Sequence, residues 1–213
     1  MSFRYDRHDI DRMDQRYRAQ FINSLAGFKS ANLVGTVDAE GHTNLAIVSS
    51  VIHLGANPPL VGMMTRPRTV ERHSVENLLS TGYYTLNHVS ADMIRPAHQT
   101  SARYARHESE FEHTGLTPEY QGDFPAPFVR ESRLSIGLKL RECKHLEINN
   151  TEFIIGEIMT VHLQDDVVRA DGYVDIEALE SVTISGLDSY HRTSRLERLA
   201  YAKPDQAPRP LEE

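Results

Sequence analysis

The stretch MMTRPRTVERHS places Arg66, Arg68 and Arg72 beside His73, opposed there only by Glu71. Cations gathered where an apolar run gives way to a helical pattern are suited to holding an anion. Arginine forks, the Thr69 hydroxyl and the early amides of residues 70–72 would supply donors, and a helix N-terminus adds partial positive charge. Pro67 would stiffen the turn. The same spacing also describes a capped helix with solvated arginines. A second candidate is TNLAIVSS, where Asn44, Ala46, Ser49 and Ser50 are small or polar enough to let a flat ligand approach a strand backbone. Composition fits an ordinary barrel strand with two surface serines equally well.

Other chemistries find less support. There are eleven histidines, but His107 and His113 stand six apart and His42, His53 and His73 fall in different elements. Without H-E-x-x-H or a paired Cys/His spacing, no metal site is expected. Cys143 stands alone, so no intramolecular disulfide is possible, and a buried inert thiol is expected. The chain lacks G-x-S-x-G, G-x-G-x-x-G and G-x-x-x-x-G-K-[ST], which disfavours a serine hydrolase and two common nucleotide folds. No side chain is nominated as a catalytic acid, base or nucleophile.

The elements that must carry these residues follow from periodicity. Ile10, Met13, Tyr17 and Phe21 predict one amphipathic helix over 9–25. ANLVGTV, the DAEG turn with Gly41, and HTNLAIVSSVIHL predict a strand, a turn and a returning strand. The prolines of GANPP interrupt the ladder before the strand LVGMM. Thr69 would cap a helix reaching Ser80, with Val75, Leu78 and Leu79 buried and Gly82 ending it. YYTLNHV predicts another strand. A polar helical insertion is expected over about 90–108, interrupted near Pro96, and loop from Phe111 to Glu131. SIGLKLRECKHLEI and FIIGEIMTVHL, joined by NNTE, predict a long hairpin.

Hairpins with helices between them indicate a mainly β chain, an antiparallel barrel with peripheral helices. The expected organisation is an N-terminal helix over 1–28, a barrel domain over 29–190 and a mobile C-terminal extension over 191–213. The 213 residues suffice for a sizeable core. Thirty acidic against 23 basic residues, a net charge of −7, argue against nucleic acid as a partner. The charged start has no signal-peptide core, and no apolar run nears the ~20 residues of a membrane span. A cytoplasmic protein without a membrane partner is expected.

The order of these pieces resembles the flavin reductase-like family, whose fold is the FMN-binding split barrel. VGTVDAEGHTNLAIVSSVIHLGANPPLVGMMTRPRTVERHSVENLLSTGYYTLNHVS carries the resemblance, with FEHTGLT, VRESRLSIGLKLREC and FIIGEIMTVHL as later landmarks, across roughly residues 25–190. The resemblance implies that Asn44, Ala46, Ile47, Val48, Ser49 and Ser50 line the flavin ring and ribityl chain, and that Arg66, Arg68 and Thr69 hold the phosphate. It further implies a homodimer with the flavin near the subunit boundary, NAD(P)H as co-substrate delivering a hydride, and reduced flavin passed to a monooxygenase or other electron acceptor.

Relatives commonly carry an Arg-x-Gly-Gly-x-x-Tyr-like segment near the flavin or nicotinamide. Here ISGLDSYHR has Ser185 and Leu187 in place of an arginine-like residue and a glycine, and keeps Tyr190. The first strand also lacks the Arg-Pro or Pro-x pair of many relatives. These departures leave a second reading open, an FMN-binding electron-transfer protein without catalysis, reduced by a partner. A split barrel holding a different ligand, such as haem, is a third.

Overall fold

In a computed structural model of the protein, the described residues are 2–67, 72–164 and 166–211. Two short helices come first, α1 (Arg7–Arg12) and α2 (Gln15–Leu25), rather than the single helix expected. The cause is Asp14, whose carboxylate accepts the amides of Arg16 and Tyr17 and restarts the helix after an extended Met13.

Five strands follow: β1 (Lys29–Ser30), β2 (Asn32–Val37), β3 (Thr43–Val48), β4 (Val51–Ala56) and β5 (Pro59–Thr65). Helix α3 (His73–Thr81) leads into β6 (Tyr83–His88), and α4 (Ile94–Gln99) and α5 (Glu110–Thr114) precede the pair β7 (Pro118–Glu119) and β8 (Phe128–Val129). The long hairpin β9 (Leu134–Leu146) and β10 (Thr151–Leu163) appears as expected, before β11 (Thr183–Ser185) and β12 (Ser189–His191).

The main sheet has seven strands in the order β3-β2-β6-β9-β10-β5-β4, antiparallel at every pairing. HTNLAIVSSVIHL is therefore two strands, and they occupy opposite edges of the sheet. Only Ser49 and Ser50 join them. Three peptide steps span at most about 11 Å, so the sheet must curl until its edges nearly meet. The result is an antiparallel split barrel, with the split marked by those serines. Met64 N–H donates to the Ser50 carbonyl at 2.9 Å and holds the crossing against β5.

The barrel interior is filled by Val34, Met63, Leu78, Tyr84, Leu138 and Ile154 among others. A second core lies on the opposite face of β2 and β3, where Leu33 and Leu45 pack with Met93, Ala97 and Phe111. Those strands are covered on both sides, which is why their hydrophobic alternation is imperfect.

Several expectations need correction. Helix α3 begins at His73 behind Arg72, so the described helix does not start at Thr69. In its buried stripe Asn77 joins Val75 and Leu78, because its amide donates to Thr36 Oγ1 at 3.2 Å, while Leu79 is 37% exposed. Gly82 ends it with φ +76°, as the pattern indicates. The 90–108 insertion contains only the six residues of α4, with Pro96 in the first turn, where its missing N–H costs nothing. The region expected as loop holds α5 and the β7–β8 pair. Cys143 is half-buried, its Sγ 3.4 Å from Glu152 Oε2. Residues 192–211 hold no named helix or strand, yet Arg198 lies 4.2 Å from the Tyr173 ring centroid. Among the described residues, no helix is long and apolar enough to cross a membrane.

Candidate functional site

Strand β3 is an edge strand, and its outward amides need partners that no neighbouring strand supplies. Leu45 N–H donates to Glu110 Oε2 at 2.8 Å and Ile47 N–H donates to Thr100 Oγ1 at 2.9 Å. The same Glu110 oxygen accepts from Asn44 Nδ2 at 2.7 Å, and Ser74 Oγ donates to Asn44 Oδ1. Both ends of the Asn44 amide are thus engaged, tying β3 to the first turn of α3 and to α5. Glu110 is 5% exposed, and burial raises its carboxyl above the usual range, opposed by the bonds from Leu45 and Asn44.

Against this fixed strand opens a cleft of about 840 Å³, inside the roughly 300–1,000 Å³ typical of small-molecule sites. Asn44, Ala46, Ile47, Val48, Ser49, Ser50 and Arg66 all line it. Seven of the nine residues expected from sequence therefore share one cleft; Arg68 and Thr69 lie outside the described residues. Asn44 is buried, Ala46 to Ser49 are half-buried and Ser50 is exposed, so the strand grades from anchored to open.

The end of the cleft beneath α3 is cationic. Arg66, Arg72 and Arg103 line it, and none forms an ion pair among the described residues. Arg72 is the N-cap of α3, its N–H donating to Glu76 Oε1 at 3.3 Å. Burial, then repulsion from Arg66 and Arg103, pushes the Arg72 guanidinium down from its usual value. Two buried side-chain atoms here, Arg72 Nε and Thr65 Oγ1, have no hydrogen-bond partner among the described residues. Buried polar atoms are seldom left so. Donors without partners among the described residues and mutually repelling cations, lining one cleft, make a site that an anion with several acceptor oxygens would satisfy. FMN carries such a group, and the residues present fit it.

The remaining wall comes from segments whose role the sequence does not disclose. Thr100, Arg103 and Tyr104 arrive from the chain after α4, and Ile184, Leu187 and Tyr190 from the β11–β12 hairpin. Tyr190 Oη and His98 Nδ1 stand 2.9 Å apart, and burial, then Asp188, raises the Tyr190 phenol. Ser185 Oγ is 2.8 Å from His191 Nε2, engaged within its own hairpin. Elsewhere, Asp38, Glu40 and His42 bring potential ligand atoms within 4.8 Å of one another. Asp38 also accepts the amides of Glu40 and His42, a bonding pattern that shapes the β2–β3 turn.

Comparison with known proteins adds a separate line. The model of the flavin reductase like domain matches residues 25–177. A split-barrel protein from Shewanella frigidimarina NCIMB 400, assigned to the flavin reductases, is 57% identical over 94% of this chain and 100% of its own, with a TM-score of 0.92. Flavoredoxin of Desulfovibrio vulgaris (Miyazaki F) is 25% identical over 85% of this chain and 93% of its own, with a TM-score of 0.69. Nitrilotriacetate monooxygenase component B from Bacillus cereus reaches 0.79 at 18% identity over 92% and 97% of the two chains, a likeness of fold alone.

Proposed function

Because this chain belongs to the flavin reductase-like family, matched over residues 25–177, we propose that its cleft holds FMN and that the protein transfers a hydride from NAD(P)H to flavin. The observation that carries the reading is that Arg72 Nε and Thr65 Oγ1, both without a hydrogen-bond partner among the described residues, belong to residues lining the same cleft as the small-residue strand. FMN, when bound, supplies the two-electron chemistry.

The protein's part is binding and orientation. Arg66 and Arg72 would hold the phosphate and neutralise its charge, with Arg68 and Thr69 expected to add donors. Residues Ala46 to Ser50 present backbone and small side chains to the ring and ribityl chain. Glu110 and Thr100 keep that strand in place, so little reorganisation accompanies binding. Tyr190, Leu187 and Ile184 line the same cleft and would shield a bound flavin from water. A homodimer, with reduced flavin handed to a monooxygenase or other acceptor protein in the cytoplasm, completes the reading.

One feature favours a second reading, an FMN carrier reduced by another protein. Leu187 lines the cleft where the family resemblance implies a glycine, and Ser185 bonds His191 where that resemblance implies an arginine-like residue. The visible spectrum of the purified protein, followed by addition of NADH or NADPH, separates the two. A flavin band bleached by either donor supports the reductase. A flavin band that yields only to dithionite supports the carrier. Absence of flavin, with no uptake of added FMN, contradicts both.

A further inference from the structure

Holding FMN gives no task to a phenol and an imidazole that meet in the cleft. Tyr190 on β12 and His98 in the last turn of α4 both line it. The fold brings them together across 92 residues, with Tyr190 Oη 2.9 Å from His98 Nδ1. Their rings meet edge to face, centroids 5.8 Å apart and planes 79° from parallel. Tyr190 is half-buried and His98 is exposed, so the phenol belongs to the cleft wall while the imidazole reaches water. Burial, then the charge of Asp188, keeps the phenol in its protonated form.

Around the phenol the wall is apolar. Tyr190 and Ile47 pack against the same buried cluster, to which Ile184 belongs, and Leu187 lines the cleft from the β11–β12 turn. The hydroxyl of Thr100 is engaged, donating to the Ala97 carbonyl at 2.8 Å and accepting the Ile47 amide. Asn44 is held by Ser74, in the first turn of the helix that Arg72 caps, and Ile47, three residues on, is held by Thr100. Three strand residues span about 10 Å, so β3 is anchored to the arginine-capped helix and to the phenol's neighbours at separate points. An O–H donor in an apolar wall suits an uncharged ligand with a carbonyl oxygen, and a phenol backed by an imidazole can give that oxygen a proton.

We propose that Tyr190 is a proton donor, positioned by His98, for the two-electron reduction of a conjugated carbonyl acceptor of the quinone class. This rests on the reading above, which supplies reduced flavin as the reductant, and it adds a small-molecule acceptor to that reading. The quinone gains a hydride from reduced flavin at one oxygen and the Tyr190 proton at the other, leaving hydroquinone and oxidised flavin. His98 Nδ1–H donates to Tyr190 Oη, which leaves the phenolic O–H free for the acceptor. The phenolate then regains a proton from water through the exposed imidazole.

The test uses FMN-loaded protein, its flavin photoreduced without oxygen and then mixed with duroquinone or with ferricyanide, which takes electrons and no proton. The ratio of the two reoxidation rates should fall about a hundredfold in Tyr190→Phe, the lower end of what a positioned acid contributes. In His98→Ala it should fall about tenfold, as loss of one hydrogen bond to a developing charge does. His98→Asn, whose amide can donate where Nδ1–H does, should recover most of that loss. Binding gives an independent reading. The calorimetric affinity of oxidised, FMN-loaded protein for duroquinone should fall about fivefold in Tyr190→Phe, a neutral hydrogen bond. Durene, the same ring and methyl groups without the oxygens, should not distinguish the two proteins. The proposal is overturned if Tyr190→Phe leaves the rate ratio unchanged, or if duroquinone does not bind wild-type protein. Equal losses in His98→Ala and His98→Asn would overturn the positioning role of His98. Failure of wild-type protein to take up FMN would sink the flavin reading separately. The duroquinone affinity of FMN-free wild-type and Tyr190→Phe protein would still decide the carbonyl site.

Discussion

The carboxylate of Glu110 accepts the Leu45 amide at 2.8 Å and so stands in for a neighbouring strand at the free edge of β3. With Thr100 on the Ile47 amide, one residue of every two along the cleft strand is fixed by a side chain. An edge strand is usually a place for further pairing. Here α4 and α5 close it, and the small residues facing the cleft are held rigidly enough to serve as a binding surface.

Glu110→Ala would strand the Leu45 amide and the Asn44 side chain together. We expect a stability loss of about 2–4 kcal/mol, the cost of two unsatisfied buried donors. FMN affinity should fall at least about tenfold as β3 loosens. Glu110→Gln keeps an oxygen at the bonded position and should restore most of both. Urea denaturation and flavin-fluorescence titration of the two variants check this. Equal behaviour of the Ala and Gln variants would remove Glu110 from the account.

Gly35 sits in β2 opposite Leu45, where a Cβ would run into the Pro127 carbonyl oxygen and the Thr85 hydroxyl. The carbonyl is backbone and cannot swing aside. Gly35→Ala should cost about 1–3 kcal/mol, as overpacking does, read as a lower denaturation midpoint with an unchanged m-value.

Burial pushes the His88 imidazole down to about 4 in the folded chain, against about 6.5 for an ordinary histidine. Between those values the unfolded state binds the proton and the folded state does not, so stability rises with pH across that window. Acidification from pH 7 towards pH 4 should therefore remove roughly 3 kcal/mol through this group. His88→Asn should flatten the dependence. A wild-type profile flat from pH 7 to pH 4.5 would contradict a half-buried histidine held neutral.

What the sequence discloses follows from the range of the interactions. The β9–β10 hairpin is legible because both strands and the NNTE turn are contiguous. The break at Ser49–Ser50 is not, since those residues are no turn signal and only the places of β3 and β4 at opposite edges of the sheet, one paired with β2 and the other with β5, reveal it. The site divides likewise. Asn44 to Ser50 and Arg66 lie in local patterns. Glu110 and Thr100 act on Leu45 and Ile47 from 65 and 53 residues away, and no spacing rule reaches so far. Thr69, outside the described residues, fits a cap by type, yet the helix begins at His73 behind Arg72, because a cap preference alone does not fix a helix boundary to the residue.

The central claim is that the arginine turn holds the phosphate of FMN. Its most direct measurement is the affinity for FMN against riboflavin, which lacks only that phosphate, in wild-type protein and in Arg66→Ala/Arg72→Ala. The account predicts that wild-type protein prefers FMN by at least about a hundredfold, two charge-assisted contacts. The variant should lose most of that preference while its riboflavin affinity stays close to wild type. Equal affinity of the wild-type protein for FMN and riboflavin would contradict the claim, as would an undiminished preference in the variant.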